Sequence, residues 1–166
     1  MVGDALLIVD VQNGVCHNAE SDIYQFKQLI AGILNRTKEY TAKNKPIIVI
    51  QHQDEELVKG SEAWRLVSEL ELPDEVFFLA KKHANSFYQT DLKKLLTHLN
   101  IAQIELCGAQ TEYCIDATAK FAHGLGYNLL MCHGLTTTWD NQFMTARQTI
   151  NFYESIWDKR FVRFID

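Results

Sequence analysis

The chain has 166 residues, 47% hydrophobic and 22% charged, with only 2 Pro and 8 Gly. That is enough for one core and too little of either breaker for a linker, a collagen repeat or a low-complexity tract, so the reading is a single domain over 1–166. Sixteen Lys and Arg against 21 Asp and Glu leave a net charge of −5 with His neutral, which gathers no phosphate backbone and excludes nucleic acid as the expected partner.

Ala5 to Val9 is a short aliphatic run suited to a strand buried on both faces, and it ends sharply at Asp10. From Ser21 to about Lys43, Ile23, Phe26, Leu29, Ile30, Ile33, Leu34 and Tyr40 recur at helical spacing, with Ser21 as the expected N-cap. Pro46 to Ile50 reads as a second strand, Ser61 to Leu70 as a short helix and Val76 to Ala80 as a third strand ending at Lys81. Asp91 to Asn100 is predicted helical, followed by a fourth strand over Ile101 to Cys107. The next helix starts near Thr111 to Cys114 and ends at His123-Gly124, where glycine takes the left-handed cap. Tyr127 to Cys132 is the fifth strand, Asn141 to Trp157 the last helix with Phe143 and Met144 toward the core, and Phe161 to Ile165 the sixth strand. Strands alternating with helices predict an α/β fold, a three-layer α/β/α sandwich around a mostly parallel six-stranded sheet.

No apolar run near the start is long enough for a signal sequence or a membrane span, so the expectation is a cytoplasmic chain without a membrane partner. Cysteines 16, 107, 114 and 132 form no C-x-x-C pair and read as thiols; Cys107 and Cys132 lie in apolar strands as core packing.

Open parallel sheets bind ligands beyond the carboxyl ends of their strands. The polar residues that directly follow the apolar runs are therefore the candidates: Asp10, Lys81 and the turn from Gly108 to Cys114. An acid, a cation and a thiol converge there. Lys81 and the positive end of the helix are expected to favour the Cys114 thiolate, and Asp10 suits the proton transfers that acyl chemistry needs. The backbone N–H groups of Gln110 and Cys114 are the expected oxyanion hole.

Three segments carry a resemblance: Asp10-Val11-Gln12, Lys81 to Phe87 followed by Thr90-Asp91-Leu92, and GAQTEYCIDATAKFA from Gly108 to Ala122. Together they resemble the isochorismatase-like cysteine hydrolases, over about Ala5 to Asn151. By that resemblance Asp10, Lys81 and Cys114 match the family's catalytic triad, the spacing back from Thr90 selecting Lys81 over Lys82. The resemblance further implies a cis peptide at Ala109-Gln110 that aims the Gln110 N–H into the oxyanion hole, and a homodimer or higher homo-oligomer. The implied reaction is hydrolysis of a C–N bond in a small amide, ureide or carbamoyl compound through a Cys114 thioester, with no cofactor. A protein that keeps the fold for ligand binding or assembly without turnover is the alternative.

Members that bind zinc carry a D-x-H pair and a second His, whereas this chain has His52-Gln53-Asp54 and no further His before His83, so no metal is expected. Gly134 stands where relatives often have Asp. Gln12, His52, Phe87 and Tyr113 are the substrate-binding candidates, with Trp64 and Trp139 as further aromatics able to stack on a flat substrate.

Overall fold

The computed structural model describes residues 1–165; the expected domain extends one position further, to Asp166, which lies outside the described residues. Its strands are β1 (Ala5–Val9), β2 (Ile47–His52), β3 (Phe77–Lys81), β4 (Gln103–Ala109), β5 (Asn128–Met131), β6 (Thr136–Thr137) and β7 (Arg163–Phe164). The helices are α1 (Asn13–Cys16), α2 (Phe26–Ala42), α3 (Leu92–His98), α4 (Asp116–Gly124) and α5 (Ala146–Trp157), with a π-helical turn over Thr111–Ile115 leading into α4. The sheet order is β3-β2-β1-β4-β5-β7, every pairing is parallel, and β6 adds to the end of β4. The six expected strands are present within two residues of their predicted bounds; the two-residue β6 is additional.

Alternation along the buried strands builds the layers. Leu7, Val9, Ile48, Ile50 and Leu106 pack on one face against Leu92 and Leu96 of α3, Ala119 and Ala122 of α4, and Trp157 of α5. Leu6, Ile8, Ile47, Val49 and Cys107 pack on the other against Leu29, Ile30, Ile33 and Tyr40 of α2. Truncating such a residue, Leu7→Ala for instance, costs about 2–5 kcal/mol.

Five expectations are corrected, the first four by a local hydrogen bond or a competing tertiary contact. Residues Ser61 to Leu70 form no helix: Gly14 and Asn13 donate backbone bonds to Ala63 and Arg65, and Leu66 bridges Gln12, so the segment is held as turns against the loop after β1. Helix α2 begins at Phe26, not Ser21, because Asn18 Oδ1 takes the Glu20 and Ser21 N–H groups in a turn of its own. Helix α5 begins at Ala146, where Thr145 and Gln148 form a reciprocal capping box. Asn141 ties Phe143 and Met144 into the preceding turn, leaving Phe143 82% exposed instead of in the core. Finally, the left-handed glycine after α4 is Gly126 (φ 90°), not Gly124.

The order of the sheet reverses between β1 and β4, where a doubly wound sheet opens its crevice. Gly108 makes that junction close. With φ 120°, its missing Cβ would collide with the Val9 carbonyl, so only glycine lets β4 run on beside the end of β1.

Candidate active site

Asp10 is the first residue beyond β1, and its backbone is left-handed (φ 53°), a conformation Asp tolerates better than most residues at some energetic cost. The turn is pinned by the Asp10 N–H donating to Ile50 O at 2.9 Å. Lys81 is the last residue of β3, two strands away, with its side chain fully buried. Cys114 lies on the π-helical turn after β4 and keeps partial exposure.

These three side chains meet. Lys81 Nζ donates to Asp10 Oδ2 at 2.6 Å and to Cys114 Sγ at 3.2 Å. Its third partner is His52 Nδ1 at 3.1 Å, and the sheet register sets His52 directly beside Lys81. Accepting at Nδ1 leaves the His52 proton on Nε2, which donates to Asp54 Oδ2 at 3.1 Å. Asp54 is in turn held by the Leu57 and Glu56 N–H groups, which with the nearby His52 keep its carboxyl below the usual range. All three ammonium protons thus have acceptors.

Asp10 Oδ1, in contrast, is buried and has no partner among the described residues. A buried carboxylate oxygen without a donor is costly to maintain and ready to take a proton. Burial raises the Asp10 carboxyl above its ordinary value, against the opposing pull of Lys81, so the group is a stronger base than a surface carboxylate.

The expectation of a resting thiolate is corrected here. Burial first, and the Asp10 charge second, push the Cys114 thiol up to about 12, outweighing Lys81. A thiol raised in this way becomes a nucleophile when a base removes its proton. The structural thiols behave alike: burial takes Cys16 to about 12 and holds Cys107 well above its usual value.

Asp10, His52 and Cys114 place one ligand atom each within 4.8 Å of one another, a spacing that suits a metal ion. The Lys81 ammonium bonds to all three and fills the centre of that donor set. The residues present therefore fit a fixed ammonium and not a divalent cation.

The Ala109–Gln110 peptide bond is cis. Among the described residues the Gln110 N–H donates to no protein acceptor, while Gln110 O receives the Tyr113 and Ile115 N–H groups and shapes the turn that carries Cys114. Thr111 Oγ1 donates to Thr136 Oγ1 at 3.3 Å, fastening the turn to β6.

The remaining candidates divide. His52 belongs to the cluster, as a partner of Lys81. Gln12 is fully buried and its amide is spent on backbone: Nε2 donates to His52 O and Trp64 O, and Oε1 accepts from His52 N. Phe87 sits in the core 5.8 Å from the Phe121 ring and 5.7 Å from the Tyr127 ring. Tyr113 is exposed, and Trp139 Nε1 donates to Val15 O. Gly134 takes a left-handed φ of 75° in the turn leading to β6. What residue-by-residue reasoning missed is the His52–Asp54 link to Lys81; the available signal was that His52, like Lys81, ends a strand.

Comparison with known proteins adds an independent line. A family model described as the Isochorismatase domain matches residues 4–147. The streptothricin hydrolase of Streptomyces noursei is 27% identical over 143 residues, 82% of this chain and 50% of that protein, so the chain spans half the length of this relative. A crystal structure of an isochorismatase family protein superposes with a TM-score of 0.94 at 40% identity, over 98% of this chain and 97% of the other. The N-carbamoylsarcosine amidase of Thermoplasma acidophilum shares the fold (TM-score 0.81, 16% identity, 96% and 94% covered).

Proposed function

Since this chain belongs to the isochorismatase family of hydrolases, we propose that it is a cysteine amidohydrolase that cleaves a C–N bond of a small amide, ureide or carbamoyl compound through a thioester on Cys114. The observation that carries this reading is the Lys81 ammonium bonded to both Asp10 Oδ2 and Cys114 Sγ while Asp10 Oδ1 stays open.

In the proposed sequence the substrate carbonyl carbon is seated against Sγ. Asp10 removes the thiol proton as the S–C bond forms, so the thiolate exists only beside Lys81 and the substrate. The carbonyl oxygen becomes an oxyanion facing the Gln110 and Cys114 N–H groups. As the tetrahedral species collapses, Asp10 returns the proton to the departing nitrogen, the C–N bond breaks, and ammonia or an amine leaves. Asp10 then takes a proton from water, whose oxygen attacks the thioester; the C–S bond breaks, the acid departs and the proton returns to sulfur.

Lys81 stays charged throughout. It lowers the energy of whichever neighbour is anionic, first Asp10 and then sulfur, and His52 with Asp54 keeps its third proton occupied so that the ammonium cannot rotate away. These steps call on no cofactor. The same reading includes a homo-oligomer and a cytoplasmic location, the latter supported by four cysteines without a disulfide; no helix among the described residues is long and apolar enough to cross a membrane.

The test is a screen of small amides, lactams and ureides for release of ammonia or amine, with intact-mass detection of the acyl adduct. The wild type is expected to turn one of them over with a mass gain mapped to Cys114, and Cys114→Ala to abolish both. Full turnover by Cys114→Ala would refute the reading.

A further inference from the structure

Strand β3 forms one edge of the sheet, and its outer row of backbone donors and acceptors has no strand beside it. Successive residues of a strand point to opposite faces, and here both faces are apolar and open: Phe77 is 40% and Phe78 56% exposed. Proteins usually blunt such an edge with charge, proline or a bulge. The opposite edge is blunted in that way. It is the two-residue β7, with Arg163 exposed and the His133 ring stacked on Phe164 at 4.2 Å.

Shallow concavities flank the β3 edge on both sides. Pro73, Val76 and Leu99 line one beside Phe77, and Trp64 and Leu66 line the other beside Phe78. The edge is also charged in order, with Asp74 and Glu75 before the strand and Lys82 after it, all exposed. Among the described residues neither Asp74 nor Lys82 makes an ion pair.

We propose that β3 is a self-complementary interface at which a second copy of this chain adds its own β3, antiparallel, about a two-fold axis through Phe78. A two-fold along the sheet normal reverses the strand and keeps each face on its own side, so opposed residues share a face only if the axis passes through a residue. Centred on Phe78, the register opposes Phe78 to itself, Phe77 to Leu79 of the partner subunit, and Asp74 to Lys82 of the partner subunit at both ends. Centred on Leu79, it sets Lys82 against the partner's Val76; centred on Phe77, it sets Asp74 against the partner's Ala80. Parallel addition sets acid on acid. Charge therefore selects both the direction and the register. The occupant that satisfies the backbone row, the two apolar faces and the ordered charges together is the same strand.

The test is light scattering on the full chain after size exclusion, with register read by cross-linking. The wild type is expected to run as a dimer, or as a larger assembly built from it. Phe78→Lys is expected to halve the mass of the dimer with an unchanged far-ultraviolet spectrum. Lys82→Asp weakens association, and Asp74→Lys in the same chain restores it. Phe78→Cys, on mild oxidation, gives a disulfide-linked dimer beyond the wild-type background, because opposed Cα atoms in an antiparallel pair lie about 4.5–5.5 Å apart; Phe77→Cys, which faces a leucine, does not. A monomeric wild type, an assembly that survives Phe78→Lys, or a Phe77→Cys cross-link as strong as that of Phe78→Cys would overturn the proposal.

Discussion

The sheet carries two buried pairs of opposite charge, and they are built differently. Toward the amino ends of the central strands, Glu105 of β4 is fully buried and saturated: Arg36 of α2 reaches it with two N–H groups at 2.6 and 2.5 Å, Tyr40 donates its hydroxyl at 2.8 Å, and the Cys132 thiol donates at 3.7 Å. At the carboxyl ends, Asp10 is nearly as buried, yet receives Lys81 at one oxygen and leaves the other open. In the first pair every lone pair is occupied, the Arg36 guanidinium is held more firmly protonated by its bonds to Glu105, and nothing remains to react. In the second, one cation serves three acceptors and one carboxylate oxygen serves none. A buried ion pair is structural when its hydrogen bonds are complete and reactive when one is withheld.

Asp10→Asn attacks the contrast at its centre. It removes the base and the acid of the proposed cycle, so turnover of any substrate found should fall by about 10⁴-fold, measured as kcat, with a normal fold by circular dichroism. Arg36→Met probes the other pair: it strands a buried Glu105 carboxylate and should cost about 3–5 kcal/mol in a denaturant titration while kcat per folded molecule is unchanged. If Arg36→Met instead abolished turnover in folded protein, the division between the pairs would fail.

A subtler difference concerns charge at rest. Burial and the Asp10 charge both raise the Cys114 thiol above its ordinary value. Iodoacetamide should therefore label Cys114 at least about a hundredfold more slowly than a free thiol of pKa ~8.5. The sign follows from the raised value: labelling quickens as pH rises and the proton leaves. Asp10→Asn, by deleting the negative neighbour, should make labelling faster at pH 7 even as turnover is lost. Peptide mapping of the labelled protein reads both.

His52 gives the smallest and sharpest effect. His52→Ala removes the third acceptor of Lys81 and should lower kcat about tenfold with KM little changed. His52→Asn, whose side-chain oxygen can take the place of Nδ1, should recover most of it. Equal losses in the two variants would mean that the imidazole acts in some way other than by holding the ammonium.

Much of this site was legible before any coordinates. Asp10 and Lys81 directly follow apolar runs and Cys114 lies on the turn after another, and a parallel sheet gathers such positions at one end, so their convergence is a consequence of period and chain order. What could not be read was the state of the sulfur. Its acidity depends on how dry the site is and on which charge lies closer, and neither depends on spacing along the chain. His52 was visible as a strand end but not as a partner of Lys81, since register between β2 and β3 is set by packing of Ile48 and Ile50 against Leu79 and not by any local signal. The Ser61 to Leu70 helix failed because its apolar spacing fits a helix while its backbone is claimed by the loop after β1.

Sequence alone determined the strands, their order along the chain and the parallel sandwich, because burial pattern is a property of residues and their spacing, and it marked Asp10, Lys81 and Cys114 as the candidate side chains at the carboxyl end of the sheet. Tertiary structure decided which hydrogen bonds are complete and which is left open. It put a fully bonded ammonium between an acid and a thiol, raised the thiol by burial and left the β3 edge bare. Those outcomes depend on desolvation and on contacts between residues far apart in the chain, quantities that exist only once it has folded.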